Sequence, residues 1–129
     1  MVDTISQLIT ELKNGNKAGK SSVTFPHSKL REAVLETLKS AGFVGSISKK
    51  GKKVIKSIEV ELLYEGTQPR IEGVKRISKF SRRLYVKSSE ANSVRNGFGA
   101  LILTTPNGIL TDAAARKQNV GGEALFKIW

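Results

Sequence analysis

Apolar residues recur at helical spacing in two segments of the first half of the chain. The first predicted helix carries its apolar face at Ile5, Leu8, Ile9 and Leu12. Asp3 is a suitable N-cap for this helix, which we expect to fray near residues 14–16, Asn-Gly-Asn. The second helix is predicted from an N-cap at Ser28 to a stop at Gly42. Its face is formed by Leu30, Val34, Thr37, Leu38 and Ala41.

Period-two alternation indicates strands around these helices. Residues 57–62 alternate cleanly, with Ile58, Val60 and Leu62 on one face. Residues 22–25 and 43–48 are also predicted to be extended, and the four lysines in residues 49–53 are predicted to form a turn. The first half is therefore expected to fold as two helices laid on a small antiparallel sheet.

A polar, turn-forming segment at residues 65–69 is the best candidate boundary. Beyond it we predict strands at 71–77, 84–87, 100–103 and 109–110, a helical turn at 91–95, and a last strand from about 123 to 129. Thr111 is expected to cap a short helix, 112–117, which ends at Asn119. The predicted fold class is α+β, with two small lobes, each an antiparallel sheet with short helices. The lobes are residues 1–65 and a mainly β lobe, 66–129.

The charge balance narrows the possible partners. Lys and Arg number 22 and Asp and Glu number 11, so the net charge is +11. The segment from residue 66 onward is the more basic, with 11 basic and 4 acidic residues. Such a field attracts polyanions, and nucleic acid is the leading partner because each phosphate contact releases counterions. An anionic membrane surface is the competitor, but no basic amphipathic helix with large apolar anchors is found.

Other classes of protein find little support. The absence of cysteine excludes disulfides, cysteine-based zinc sites and cysteine nucleophiles. His27 is the one histidine, and no serine or acid is spaced to make a triad with it. Gly97-Phe98-Gly99 lacks the third glycine and the downstream acid of a dinucleotide site. Acidic residues near the N-terminus are not typical of a signal peptide. We expect no enzyme activity and no cofactor.

The loop Thr104-Thr105-Pro106-Asn107-Gly108 is the first candidate site. Thr105 to Gly108 suit a tight turn between paired strands, and the turn would present hydroxyl, amide and backbone groups of the kind that bind irregular RNA. On pattern alone an ordinary hairpin turn is the favoured interpretation, because turn chemistry explains every residue.

Three further segments are candidate RNA-contact sites. Residues 70–87 hold seven basic residues against Glu72, with Phe80 and Tyr85 interleaved, a composition suited to phosphates and unpaired bases. Gly121-Gly122-Glu123 would let backbone approach a partner closely, or is simply a loop before the last strand. The lysine turn at 49–53 could add phosphate contacts, or is a solvated tip.

In order along the chain, these pieces resemble the S-eight family of small-subunit ribosomal proteins. The most specific match is GALILTTPNGILTDAAAR at 99–116, followed by VGGE at 120–123. Upstream, PHSKL at 26–30, LKSAGF at 38–43, RISK at 76–79 and RLY at 83–85 are similar to family segments. The resemblance spans nearly the whole chain.

The resemblance implies a structural, primary RNA-binding role. Members bind the central domain of small-subunit ribosomal RNA and help to assemble its platform, and some repress translation of their own messenger RNA. Neighbouring small-subunit proteins are expected partners, and the free chain is expected to be a monomer in the cytoplasm, with an organelle not excluded. The resemblance implies RNA recognition by Thr104, Thr105, Asn107 and Gly108, with Tyr85 and Glu123 nearby, and contacts to the RNA backbone by Lys13, Asn14, Ser28 and Lys29. From the candidate segments and the matched motifs, the predicted RNA-binding residues also include Arg76, Ser78, Lys79, Arg82, Arg83, Arg116, Gly121 and Gly122.

The chain departs from the family pattern in its recognition loop. The family often has a hydroxyl residue where Pro106 stands and a lysine where Asn107 stands, so one donor and one positive charge are missing. Near the N-terminus, Glu11 replaces a family arginine. The competing hypothesis is a basic, non-ribosomal module that binds RNA or reads an acidic protein.

Overall fold

The structure is a computed structural model that describes residues 4–52, 55–78, 82–87 and 99–129. The predicted α+β class is confirmed. The first elements along the chain are α1 (Thr4–Lys17), β1 (Ser22–Pro26), α2 (Lys29–Ser40), β2 (Val44–Lys52), β3 (Ile55–Leu62), β4 (Tyr64–Glu65) and β5 (Gln68–Pro69). They are followed by β6 (Val74–Arg76), β7 (Tyr85–Val86), β8 (Ala100–Thr105), β9 (Gly108–Thr111), α3 (Asp112–Gln118) and β10 (Gly122–Ile128).

Two compact units divide the chain. One is Ser6–Glu72, and the other contains Gly73–Trp129 with the first residues of α1. The segment 65–69, which the sequence indicates as a candidate boundary, lies in the β4–β5 hairpin, in which Tyr64 pairs with Pro69. The interpretation of 1–65 and 66–129 as domains stays a prediction.

The unit Ser6–Glu72 contains the antiparallel sheet β1-β3-β2. The alternation predicted for β3 is confirmed, because Ile58, Val60 and Leu62 are buried. Leu8, Ile9 and Leu12 of α1 and Val34, Leu35 and Leu38 of α2 are buried as well, which fits the expected arrangement of two helices and a small sheet. Leu30, predicted on the apolar face of α2, is 42% exposed, and Leu35 is buried in addition to the predicted residues. Ser28 caps α2 by accepting a hydrogen bond from the Arg31 N–H over 3.1 Å, as the sequence predicts. Helix α2 ends just before Gly42, which has φ +83°.

Two local predictions in this unit are wrong. Helix α1 does not fray near residues 14–16, because the buried Asn16 side chain donates to the Leu63 carbonyl and accepts from the Ile71 N–H. Residues 49–52 belong to β2 rather than to a turn. Lys49 and Lys50 continue the β2–β3 ladder and place their ammonium groups on Glu32 and Glu59. Residues 53–54 and the proposed Asp3 cap lie outside the described residues.

The unit Gly73–Trp129 is built on the order β6-β10-β8-β9, with β7 also paired to β10. Strands β6 and β7 therefore lie one after the other along one edge of β10, and β8 lies along its other edge. Helix α3 lies on one face of this sheet, where Ala115 packs with Leu101, Leu103 and Ala124. The predicted strand 71–77 is shorter than expected. The helical turn predicted at 91–95 lies outside the described residues.

Candidate nucleic-acid interface

The hairpin that joins β8 to β9 has the two-residue tip Pro106-Asn107. Thr105 pairs with Gly108 across the tip, so the turn predicted for residues 105–108 is confirmed. Gly108 has φ +104°, a left-handed backbone that a residue with a side chain adopts only under strain. Pro106, Asn107 and Gly108 are exposed. The tip is thus a tight projection whose groups face solvent.

The Thr105 hydroxyl holds this tip together. It donates to the Gly108 carbonyl over 2.7 Å and accepts from the Asn107 N–H over 3.1 Å. A hydroxyl has one hydrogen and two lone pairs. Thr105 has therefore used its hydrogen inside the turn and can offer an outside partner only a lone pair.

The tip is also tied to α3. The Asn107 side-chain Nδ2 donates to Gln118 Oε1 over 3.1 Å. Gln118 is the last residue of α3, whose first turn is capped by the Thr111 hydroxyl. Sequence reasoning missed Gln118, because an exposed glutamine at the end of a short helix has no local pattern that marks it.

Three predicted site residues form a row across neighbouring strands. Glu123 of β10 pairs with Thr104 of β8 on one side and with Tyr85 of β7 on the other. Directly paired residues of antiparallel strands point to the same face of a sheet. Leu103 and Ala124 pack towards α3, so by alternation the row lies on the face away from α3. Tyr85 is 74% exposed, which leaves its ring available to a partner.

Arg83 connects the basic segment to this row through an ion pair. Arg83 donates to the Glu123 carboxylate over 3.1 Å, and the side chains are 45% and 13% exposed. Arg82 is exposed and has no ion pair within the described part of the chain. Lys79 lies outside the described residues. The segment thus offers Arg82 as an exposed charge, while Arg83 is partly engaged by Glu123.

Ser78 and Arg76, two other residues of the basic segment, form hydrogen bonds within the protein. Ser78 is fully buried, and its hydroxyl accepts from the Leu84 N–H over 2.8 Å and donates to the Leu84 carbonyl over 3.2 Å. Ser78 therefore has no exposed surface to offer a partner, and it closes the loop that carries Arg82 and Arg83. The Arg76 guanidinium donates to the Leu125 carbonyl beside a bulge in β10.

Gly121 and Gly122 lie where three strands converge. A Cβ on Gly122 would stand 2.0 Å from the Thr104 carbonyl oxygen, and one on Gly121 would stand 2.4 Å from that of Val86. The close approach of these strands explains both glycines without a partner. Their contribution to RNA binding stays a prediction.

Arg116 is held by its own helix. Its guanidinium donates to Asp112 over 3.0 Å, and the buried Asp112 carboxylate also accepts from the Leu101 N–H over 3.2 Å. This anchors α3 to β8. Arg116 is still partly exposed, so a phosphate contact stays a prediction.

The candidate residues in the other unit are Lys13, Asn14, Ser28 and Lys29. Asn14 lies in an open groove between α1 and β1, and Lys29 is exposed at the start of α2. The Ser28 hydroxyl already accepts from the Arg31 N–H, so its hydrogen and one lone pair remain for a partner. Contacts of these four residues with RNA stay predictions.

A charged cluster near the start of α2 lies apart from these residues. Glu32 contacts Lys49 Nζ over 2.8 Å and His27 Nε2 over 2.9 Å. These two hydrogen bonds lower the pKa of Glu32 below its ordinary value, and the bond from Lys49 has the larger effect. The same bond raises the pKa of Lys49. The cluster ties α2 to β2 and to the segment that follows β1.

Among the described residues, no three His, Asp or Glu side chains are grouped so that they could hold a metal ion. Nor does any described helix have the length and apolar character needed to cross a membrane.

Comparisons with known proteins agree with one another. The family model described as Ribosomal protein S8 matches residues 3–129. The small ribosomal subunit protein uS8 of Mycoplasmopsis synoviae is 44% identical over 130 residues, which cover 100% of this chain and 98% of that protein. Those of Rhizorhabdus wittichii and Novosphingobium aromaticivorans are 42% and 43% identical over 129 residues, with the same coverage.

Proposed function

Because the chain belongs to the Ribosomal protein S8 family, we propose that it binds the central domain of small-subunit ribosomal RNA and helps to assemble the platform of that subunit. The relatives are named as small ribosomal subunit proteins, and the match covers 98% of their length. The chain therefore acts as a structural component of a ribonucleoprotein, and its chemistry is recognition rather than catalysis.

The row Thr104–Glu123–Tyr85 beside the 104–108 tip is the observation that carries the proposal. The register of three strands aligns a hydroxyl, a carboxylate and an exposed aromatic ring. Sequence-specific RNA recognition favours irregular helices, where unpaired bases stack on aromatic rings and bond through their edges. The row and the tip together provide both kinds of contact, which supports RNA rather than an acidic protein as the ligand.

Affinity and specificity have different sources in this proposal. Arg82, Arg83 and Arg116 supply salt-dependent attraction to phosphates, and the tip and the row supply specificity. The unit Ser6–Glu72 adds contacts to the RNA backbone through Lys13, Asn14, Ser28 and Lys29. The net charge of +11 keeps the whole chain attractive to RNA.

Three further elements belong to the proposal. The chain represses translation of its own messenger RNA when that RNA presents a similar irregular helix. It contacts neighbouring small-subunit proteins once assembled. It is a monomer when free and works in the cytoplasm, within the small ribosomal subunit.

Filter binding tests the proposal. The full chain is titrated against a transcript of the central domain of bacterial small-subunit rRNA and against a generic RNA duplex of similar length, at physiological salt. We expect the transcript to bind at least about a hundredfold more tightly, since specific sites exceed non-specific ones by such factors or more in nucleic-acid recognition. Equal retention of both RNAs would contradict the proposal and would favour the competing hypothesis of a basic, non-ribosomal module.

A further inference from the structure

We propose that Gln118 is a positioning residue for the 104–108 tip, and that it orients Asn107 so that the tip offers a carboxamide oxygen to a hydrogen-bond donor of the RNA. This inference rests on the proposed function. It assigns a role to a residue of α3 that has no part in the predicted interface.

Both the main chain and the side chain of Asn107 are held. Its backbone N–H donates to Thr105 Oγ1 over 3.1 Å, and its Nδ2 donates to Gln118 Oε1 over 3.1 Å. Asn107 itself is exposed at the end of a two-residue turn. An exposed asparagine without such a bond would rotate among rotamers and lose that freedom on binding.

Gln118 is presented by a firmly anchored helix. The Thr111 hydroxyl caps α3 by accepting from the Ala114 N–H over 3.2 Å, and the buried Asp112 carboxylate accepts from the Leu101 N–H. Ala115 is fully buried beneath the sheet. The helix that carries Gln118 is thus fixed to the same strand, β8, that leads into the tip.

The bonds within the tip decide what it can offer. Asn107 has used one N–H on Gln118 and keeps its second N–H and its carboxamide oxygen, which has no hydrogen-bond partner within the described part of the chain. Thr105 has used its hydrogen on Gly108 and keeps a lone pair. The tip therefore offers two side-chain acceptors, the Asn107 oxygen and the Thr105 lone pair. Phosphate oxygens can only accept, so the RNA groups that bind the Asn107 oxygen are donors: ribose 2′-hydroxyls, exocyclic amino groups and the ring N–H groups of unpaired guanine or uracil.

Two alanine variants test the coupling between the residues. Gln118→Ala should raise the Kd for the central-domain transcript about fivefold, the size of one net hydrogen bond, without changing generic duplex binding. Adding Gln118→Ala to Asn107→Ala should have no further effect, because Gln118 acts only through Asn107. Thermal unfolding should be unchanged, since both side chains are exposed. Additive losses in the double variant would overturn the inference.

A conservative variant tests the direction of the bond. Gln118→Glu keeps an acceptor for Asn107 Nδ2 but adds a negative charge. Lys117→Gln, on the adjacent exposed residue, changes the net charge by the same amount and is the matched control. We expect Gln118→Glu to bind the transcript as well as this control does. A loss about fivefold greater than that of the control would mean that the Asn107 amide is reversed, and would overturn the inference.

Substituted transcripts identify the donor. Pools whose nucleotides lack the 2′-hydroxyl, lack the exocyclic amino group of guanine, adenine or cytosine, or carry a methyl group on the ring nitrogen of guanine or uracil are selected for binding to the wild-type chain and to Asn107→Ala. One substitution should weaken binding of the RNA to the wild type and have no effect on its binding to Asn107→Ala. Interference that is identical for both proteins would overturn the inference. If the wild type does not prefer the transcript at all, the proposed function fails as well; selective binding that Gln118→Ala leaves unchanged refutes only the role of Gln118.

Discussion

The Arg83 guanidinium lies 3.1 Å from the Glu123 carboxylate, although 40 residues separate them in the chain. This contact joins the basic segment to the Gly-Gly-Glu segment, two candidate sites that are far apart in the sequence. Glu123 stands in the middle of the row with Thr104 and Tyr85. Arg83 offsets the charge of a carboxylate that would otherwise repel phosphate, and it limits the orientations that Glu123 can adopt.

Thr105 is expected to act through its hydroxyl. Thr105→Ala removes both bonds that close the tip, so the Kd for the central-domain transcript should rise about fivefold, with little change for generic duplex. Thr105→Ser keeps the hydroxyl and should bind almost as the wild type does. Both are measured by filter binding. A serine variant as weak as the alanine variant would show that the methyl group, not the hydroxyl, is what matters.

Arg82 is expected to contribute to affinity through phosphate contact. Arg82→Ala should reduce the slope of log K against log salt concentration by roughly 0.7 to 0.9, the change expected for the loss of one phosphate contact. Lys39→Ala, which removes one positive charge from the exposed end of α2, serves as the control and should leave the slope unchanged. The slopes come from titrations over a range of salt concentrations. Equal slopes for wild type and Arg82→Ala would remove Arg82 from the set of contacts.

Ser78 is expected to support the loop from inside the fold. Ser78→Ala leaves the Leu84 N–H and carbonyl without their partner and should lower the free energy of unfolding by about 1–3 kcal/mol. Urea unfolding measures the change. Ser40→Ala, which removes an exposed hydroxyl on α2, should change it by less than about 0.5 kcal/mol. A variant of Ser78 as stable as the Ser40 control would contradict the supporting role.

The Glu32 cluster predicts a pH dependence of stability. The folded-state pKa of Glu32 is lowered by the hydrogen bonds from Lys49 and His27. The contribution of Glu32 to the free energy of unfolding is therefore complete above its unfolded-state pKa. It is lost as pH falls through the folded-state pKa. The pKa of Lys49 is raised, so the stabilisation that its charge contributes persists at neutral pH. It is lost only in strongly alkaline solution, as pH rises through that raised pKa.

Glu32→Gln tests this dependence by urea unfolding at a series of pH values. The stability difference between wild type and variant should be largest near neutral pH and should shrink as pH falls through the lowered folded-state pKa of Glu32. Glu65→Gln removes an exposed carboxylate that has no ion pair within the described residues, and serves as the control. A difference for Glu32→Gln that stays constant with pH would refute the role of its charge.

The sequence predicted those elements whose signals are local. The Ser28 cap, the Gly42 stop, the alternation of β3 and the turn at 105–108 each depend on residues close together in the chain. The ends of α1 and β2 were mispredicted because distant partners decide them. Asn16 bonds to residues 47 and 55 positions away, and Lys49 reaches Glu32 on α2.

The candidate site was predictable only in part for the same reason. Resemblance to the family brought Thr104, Tyr85 and Glu123 into one set, but their alignment depends on the register of β7, β8 and β10. Burial of Ser78 and the contact of Gln118 with Asn107 depend on three-dimensional packing. No spacing in the sequence indicates either of them.

A probe tethered to the tip tests the central claim most directly. The chain has no cysteine, so Pro106→Cys provides a single attachment site for an iron chelate that generates hydroxyl radicals. The labelled chain is bound to small-subunit rRNA, and the cleaved positions are mapped by primer extension. A chelate at Glu36→Cys, on the exposed face of α2, is the control. We predict cleavage from the tip concentrated at an irregular helix of the central domain, in a pattern different from that of the control. Cleavage from the tip that is absent from the central domain, or scattered as widely as that of free chelate, would contradict the assignment of the 104–108 tip as the recognition element.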